Sequence, residues 1–122
     1  MTEWGPYLGG ATVGKKGPLG GLVLRDEALL DDARMTLEEG GPHAPFSIFC
    51  EIRGWLEHSV VATGRSEARE LFEAMKDALG PIIETIPFSD SPDDTEQMHY
   101  VEQQLASFVT LFPAPHEPGE RE

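Results

Sequence analysis

Phe46-Ser47-Ile48-Phe49-Cys50-Glu51-Ile52-Arg53-Gly54-Trp55-Leu56-Glu57-His58-Ser59-Val60-Val61-Ala62 is the stretch that decides the fold. Phe46, Ile48, Cys50 and Ile52 recur at period two, as do Leu56, His58, Val60 and Ala62, which is the spacing of one face of a β-strand. Both sets reach the same face when the connection is the three residues Arg53-Gly54-Trp55, with glycine supplying the positive φ of a tight turn. A two-residue connection would instead set Glu57 and Ser59 among the apolar side chains of the first strand. One face has to be buried, so the three-residue connection is expected. In that register Cys50 stands opposite His58, and Glu51 stands opposite Glu57.

Upstream, Asp26 to Glu39 can be read two ways. As a helix it has Asp26 as N-cap, Leu29, Leu30, Ala33 and Leu37 on one side, and Gly40 as its stop. As a strand, Ala33, Met35 and Leu37 alternate with Arg34, Thr36 and Glu38 after a turn at Asp31-Asp32. Propensity favours the helix, but a sheet needs three or more strands and an apolar face to stand alone. The expectation is therefore a hairpin of 21–28 and 33–39.

Downstream, Ser66 reads as an N-cap, with Ala68, Leu71, Phe72, Met75, Ala78 and Leu79 as a helical stripe and Gly80-Pro81 as its end or kink. Ser91-Pro92-Asp93-Asp94 then has the layout of a helix start. The helix expected over 92–112 buries Met98, Val101, Leu105, Phe108 and Phe112 and leaves Asp93, Asp94, Glu96 and Glu102 in water. The fold class is α+β: an antiparallel meander of about four strands, with two C-terminal amphipathic helices on the face carrying Ile48, Ile52, Leu56 and Val60. Glycines crowd residues 1–20, which read as a flexible arm, 21–112 as one domain, and 113–122 as a disordered, proline-rich tail.

Among 122 residues the net charge is −13, and it is unevenly placed. From Asp77 to Glu120 there are nine acidic residues and no Lys or Arg, a negative surface whose simpler account is solubility and whose sharper one is a docking face for a basic protein partner. Phosphate backbones are poor partners for such a chain, because their affinity for proteins comes largely from Lys and Arg. No apolar run approaches a membrane span, and no basic-then-apolar leader opens the chain. With a single cysteine, neither an internal disulfide nor a multi-cysteine zinc site can form, and a cytoplasmic location is expected.

Four constellations could carry chemistry. Gly9-Gly10-Ala11-Thr12-Val13-Gly14-Lys15-Lys16 resembles a phosphate-binding loop in spacing, but Lys16 stands where the magnesium-binding hydroxyl is needed. No cofactor or metal is expected. Cys50 with His58 could act as a thiol nucleophile and its base, although both lie on the face assigned to the core. Glu51 and Glu57 beside Arg53 form a polar set on the opposite face, where solvation is the simpler account. Phe49, Trp55 and Val61 are expected on that same outer face. The folded-back arm with Trp4 and Tyr7 would cover them, or a second copy of the chain meeting this face or a sheet edge. The best-supported expectation is a non-enzymatic protein-interaction or regulatory module, with a small thiol enzyme or hydrolase using Cys50 and His58 as the alternative.

Overall fold

The structure is a computed structural model that describes residues 4–29, 32–42, 44–86 and 95–113. It contains one five-stranded antiparallel sheet in sequential order and two helices. The strands are β1 (Gly5–Pro6), β2 (Leu22–Leu29), β3 (Ala33–Glu39), β4 (Phe46–Ile52) and β5 (Leu56–Ala62). The helices are α1 (Arg65–Glu84) and α2 (Thr95–Leu111). The expected meander is present, and the short β1 adds a strand that the glycine-rich arm concealed.

The β4–β5 register is the one the alternation demands: Cys50 pairs with His58, Glu51 with Glu57, and Ile52 with Leu56 across the turn. Segment 26–39 resolves as a hairpin and not as a helix, with Leu29 paired to Ala33 and Glu27 to Met35. Burial explains why. Met35, Leu37, Ile48 and Ile52 form one continuous apolar face under both helices, at most 1% exposed, which outweighs local helical propensity.

That face closes on Phe72, Met75 and Leu79 of α1 and on Val101, Leu105 and Phe108 of α2. Helix α1 starts two residues earlier than expected, with Gly64 and not Ser66 as N-cap and no side-chain cap. Glu67 in the first turn reaches back to Thr63 and accepts hydrogen bonds from its N–H and hydroxyl, fastening the β5–α1 connection to the helix. The helix also runs through Pro81 instead of stopping there. Its continuation carries Ile82 and Ile83 into the core, and Ile86 follows just beyond it; burying these three offsets the lost backbone hydrogen bond.

A register irregularity between Val23 and Arg25 turns Arg25 and Glu27 toward the helices, while Val23 pairs with Glu38 on the other face. There the pair meets α1: Arg25 bonds Glu27 and Glu73 at 2.7 Å each, and Lys76 bonds Glu27 at 2.6 Å. Burial alone would push the Glu27 carboxyl up, but the hydrogen bonds and charges of Lys76 and Arg25 hold it below its usual 4.5. Its contribution to stability is present above that value and is lost as pH falls through the lower, folded one.

Residues 4–20, expected as a flexible arm, are hydrogen-bonded along the edge of β2 and, through Asp26 and Glu38, to the outer face of the β2–β3 hairpin. Gly5 and Pro6 pair with Ala28 and Glu27, and the Gly14 and Val23 backbones bond across the loop. The Ser91-Pro92-Asp93-Asp94 helix start and most of the 113–122 tail lie outside the described residues.

Candidate functional site

Cys50 and His58 are opposed as the alternation requires, yet the pair is built as core. Cys50 is wholly buried, and burial pushes its thiol up to about 12, so no thiolate is available at neutral pH. His58 turns toward α2, where its ring meets Phe108 edge-on and its Nε2 lies within hydrogen-bond reach of the Phe112 carbonyl. A carbonyl can only accept, so Nε2 carries the proton and donates it. His58 therefore ties β5 to the last turn of α2. In the native protein Cys50 should alkylate with iodoacetamide at neutral pH far more slowly than in denaturant. A native rate equal to or above the denatured one would restore the thiol mechanism.

On the outer face Glu51 and Glu57 oppose each other, and Arg34 of β3 is the cross-strand neighbour of Glu51. Arg53, just past the end of β4, lines the same pocket as Glu51 and Arg34. Its guanidinium pairs with the Asp32 carboxylate at 3.1 Å and its backbone N–H donates to the Asp32 carbonyl at 2.8 Å, fastening the two hairpin turns together. Phe49 and Val61 sit half-buried on the outer face, in register with Ser59 and Ser47. Trp55 does not join them. The β4–β5 turn bends it to the helical side, where it lines a cleft of about 610 Å³ with Met98, Leu105 and Val109 of α2. Sequence alternation carries no information once the chain leaves the strand, so Trp55 was assigned a face it does not occupy.

The most heavily bonded polar cluster is one the sequence reading passed over. Asp26, almost fully buried, is chelated by Arg34, with Nε donating to Oδ1 at 2.9 Å and Nη2 to Oδ2 at 2.6 Å. Thr36 and the arm residue Thr12 donate to the same carboxylate, at 3.2 and 2.8 Å. The Tyr7 ring covers the Arg34 guanidinium at 4.0 Å. The hydrogen bonds to Asp26, followed by its charge and those of neighbouring groups, outweigh burial and keep Arg34 more firmly protonated than an ordinary arginine. Two residues past Thr36 on β3, buried Glu38 has no ion-pair partner among the described residues; the backbone N–H groups of Leu19 and Gly21 donate to it at 2.9 and 2.8 Å. A Cβ on Gly17 would come within 2.4 Å of that carboxylate, so the close approach of the arm requires glycine there. The signal was available: Arg34, Thr36 and Glu38 alternate against Ala33, Met35 and Leu37, and Asp26 pairs with Thr36 across the hairpin. This cluster anchors the arm.

The remaining surface of interest lies between the helices. Tyr100 and Leu111 of α2 are 48% and 71% exposed, three turns apart on one stripe. They flank a groove of about 230 Å³ whose α1 side is Ala78, Pro81 and Ile82. Exposed acids on the two helices are Glu84 and Glu96, with Asp77 in a separate pocket beside Arg25 and Arg69 and Glu102 on the Trp55 side of α2, and the described residues from 77 onward include no Lys or Arg. No group of His, Cys, Asp and Glu able to hold a metal ion occurs among the described residues, and no helix there is long and apolar enough to cross a membrane. No protein-family model, curated protein or solved structure matches the chain.

Proposed function

We propose that this protein is a small non-enzymatic interaction or regulatory module of the cytoplasm that receives a basic protein partner on its helical side. The observation that carries this reading is the α1–α2 groove. It is mostly apolar, is flanked by the exposed Tyr100 and Leu111, and has the exposed Glu84 and Glu96 on the helices that form it, with no Lys or Arg among the described residues from 77 onward. A partner segment with an apolar stripe and flanking Lys or Arg would fill the groove and neutralise its rim, the helix-in-groove mode of recognition. The charges would speed encounter and select against acidic partners, while the apolar contacts supply affinity. The state of Cys50 and His58 turns the balance away from the thiol enzyme. A single thiol buried as thiol also suits a reducing compartment.

Affinity capture with the native protein and with a Leu111→Glu variant, each at low and at moderate salt, tests the proposal. The expected result is a set of basic proteins retained by the native protein, weakened by salt and lost in the variant. Capture indifferent to Leu111, or no specific protein at either salt while a small molecule stabilises the fold, would overturn it.

A further inference from the structure

The two edges of the sheet are built very differently. At one edge β1 is two residues long and ends in Pro6, so it offers almost no ladder for another strand. At the other, β5 runs for seven residues in unbroken register with β4 and pairs with no other strand among the described residues. It contains no proline, no lysine and no bulge, the devices that ordinarily blunt an edge. Its outer-face side chains are Glu57, Ser59 and Val61, and Glu57 is its only carboxylate.

We infer that β5 is a self-association surface, and that two copies of the chain join by antiparallel pairing of β5 with β5 about a two-fold axis at Ser59. This centre is the one that pairs all seven residues: Leu56 meets Ala62 of the second copy, Glu57 meets Val61, His58 meets Val60, and Ser59 meets Ser59. It places each Glu57 against a valine and keeps the two Glu57 side chains apart, whereas a centre at Glu57 would set the carboxylates face to face. An isologous contact of this kind closes at two copies and leaves β1 at both ends of a ten-stranded sheet. The helices of both copies then lie on one side of the joined sheet, and the pairing uses only the β5 edge, so it does not depend on the partner proposed above. Strand pairing alone is a small interface, so the dimer is of micromolar strength. Each copy carries −13, so added salt tightens it by screening repulsion, opposite to the salt effect on a basic partner.

Sedimentation velocity over a concentration series at about 0.05 M and about 0.5 M salt should show a monomer–dimer equilibrium, tighter at the higher salt. Ser59 is half-exposed, so Ser59→Lys and Ser59→Glu should fold, as circular dichroism will confirm. Each should weaken the dimer about 100-fold by setting like charges across the axis. Mixing the two should restore it, because lysine then meets glutamate. A native protein that stays monomeric to millimolar concentration at both salts would overturn the inference. So would a Ser59→Lys variant that dimerises like the parent, or a mixture that remains monomeric.

Discussion

Asp26→Ala should destabilise the fold by about 3 kcal/mol and release the N-terminal arm, the larger of the two electrostatic losses available on the outer face. The carboxylate is the meeting point of four hydrogen bonds, two from Arg34 and one each from Thr12 and Thr36. Removing it orphans the buried Thr36 hydroxyl and leaves Arg34, only 23% exposed at its side chain, without its counter-charge. Thr12 loses its link to the sheet, and Tyr7 loses the oriented guanidinium on which it stacks. The expected value lies at the low end for a broken buried pair because Arg34 can still reach water. Chemical denaturation measures the stability loss, and trypsin reports the arm, since cleavage after Lys15 or Lys16 requires residues 12–23 to leave their backbone hydrogen bonds. A double variant, Asp26→Ala with Arg34→Met, should be less destabilised than the sum of its single changes, because no unpaired charge remains. If Asp26→Ala unfolds like the parent and trypsin cuts no faster, the arm is held by something other than this carboxylate.

How much of this was legible in advance follows from which forces leave a period in the sequence. The β4–β5 register is legible because burial of one face forces alternation, and Phe46–Ile52 and Leu56–Ala62 each carry their core side chains at every second position. The 21–28 and 33–39 hairpin is legible only by inference from what a sheet requires, since Leu29, Leu30, Ala33 and Leu37 fit a helix equally well. The arm's attachment leaves no period at all. It rests on backbone N–H groups of Leu19 and Gly21 and on glycines whose value lies in a missing side chain, and composition reads such residues as loose chain. Trp55 was misplaced for a related reason: past Ile52 the chain turns, and the pleat no longer dictates direction. For the candidate site, the opposition of Cys50 to His58 is a matter of register and so could be read. What each side chain does depends on α2, whose docking over β5 has no local signature. The exposure of Tyr100 and Leu111 beside Pro81 likewise depends on how two helices cross.

The packing of α2 is put to the test by Phe108→Ala, which should cost about 3–5 kcal/mol. Phe108 is 1% exposed and sits where three elements meet. Its ring lies edge-on to His58 of β5, tilts against Phe112 at 4.9 Å between centroids, and borders the α1–α2 groove beside Ile82. Alanine there removes the ring from all three neighbours at once, and the backbone of a well-formed helix cannot collapse far enough to fill the gap. A second loss follows from the first. His58 donates to the Phe112 carbonyl at the end of α2, and Phe112 is positioned by its contact with Phe108, so the last turn of the helix should fray when the ring is gone. Hydrogen exchange should therefore accelerate at residues 108–112 by more than the global loss of stability explains. Glu102→Gln serves as the control on the same helix, because its side chain is 64% exposed and it should leave the unfolding midpoint where it was. Were Phe108→Ala to unfold at the parent's denaturant concentration, α2 would not belong to the core. The groove it forms with α1 would then have no fixed second wall, and the docking reading built on that groove would fall with it.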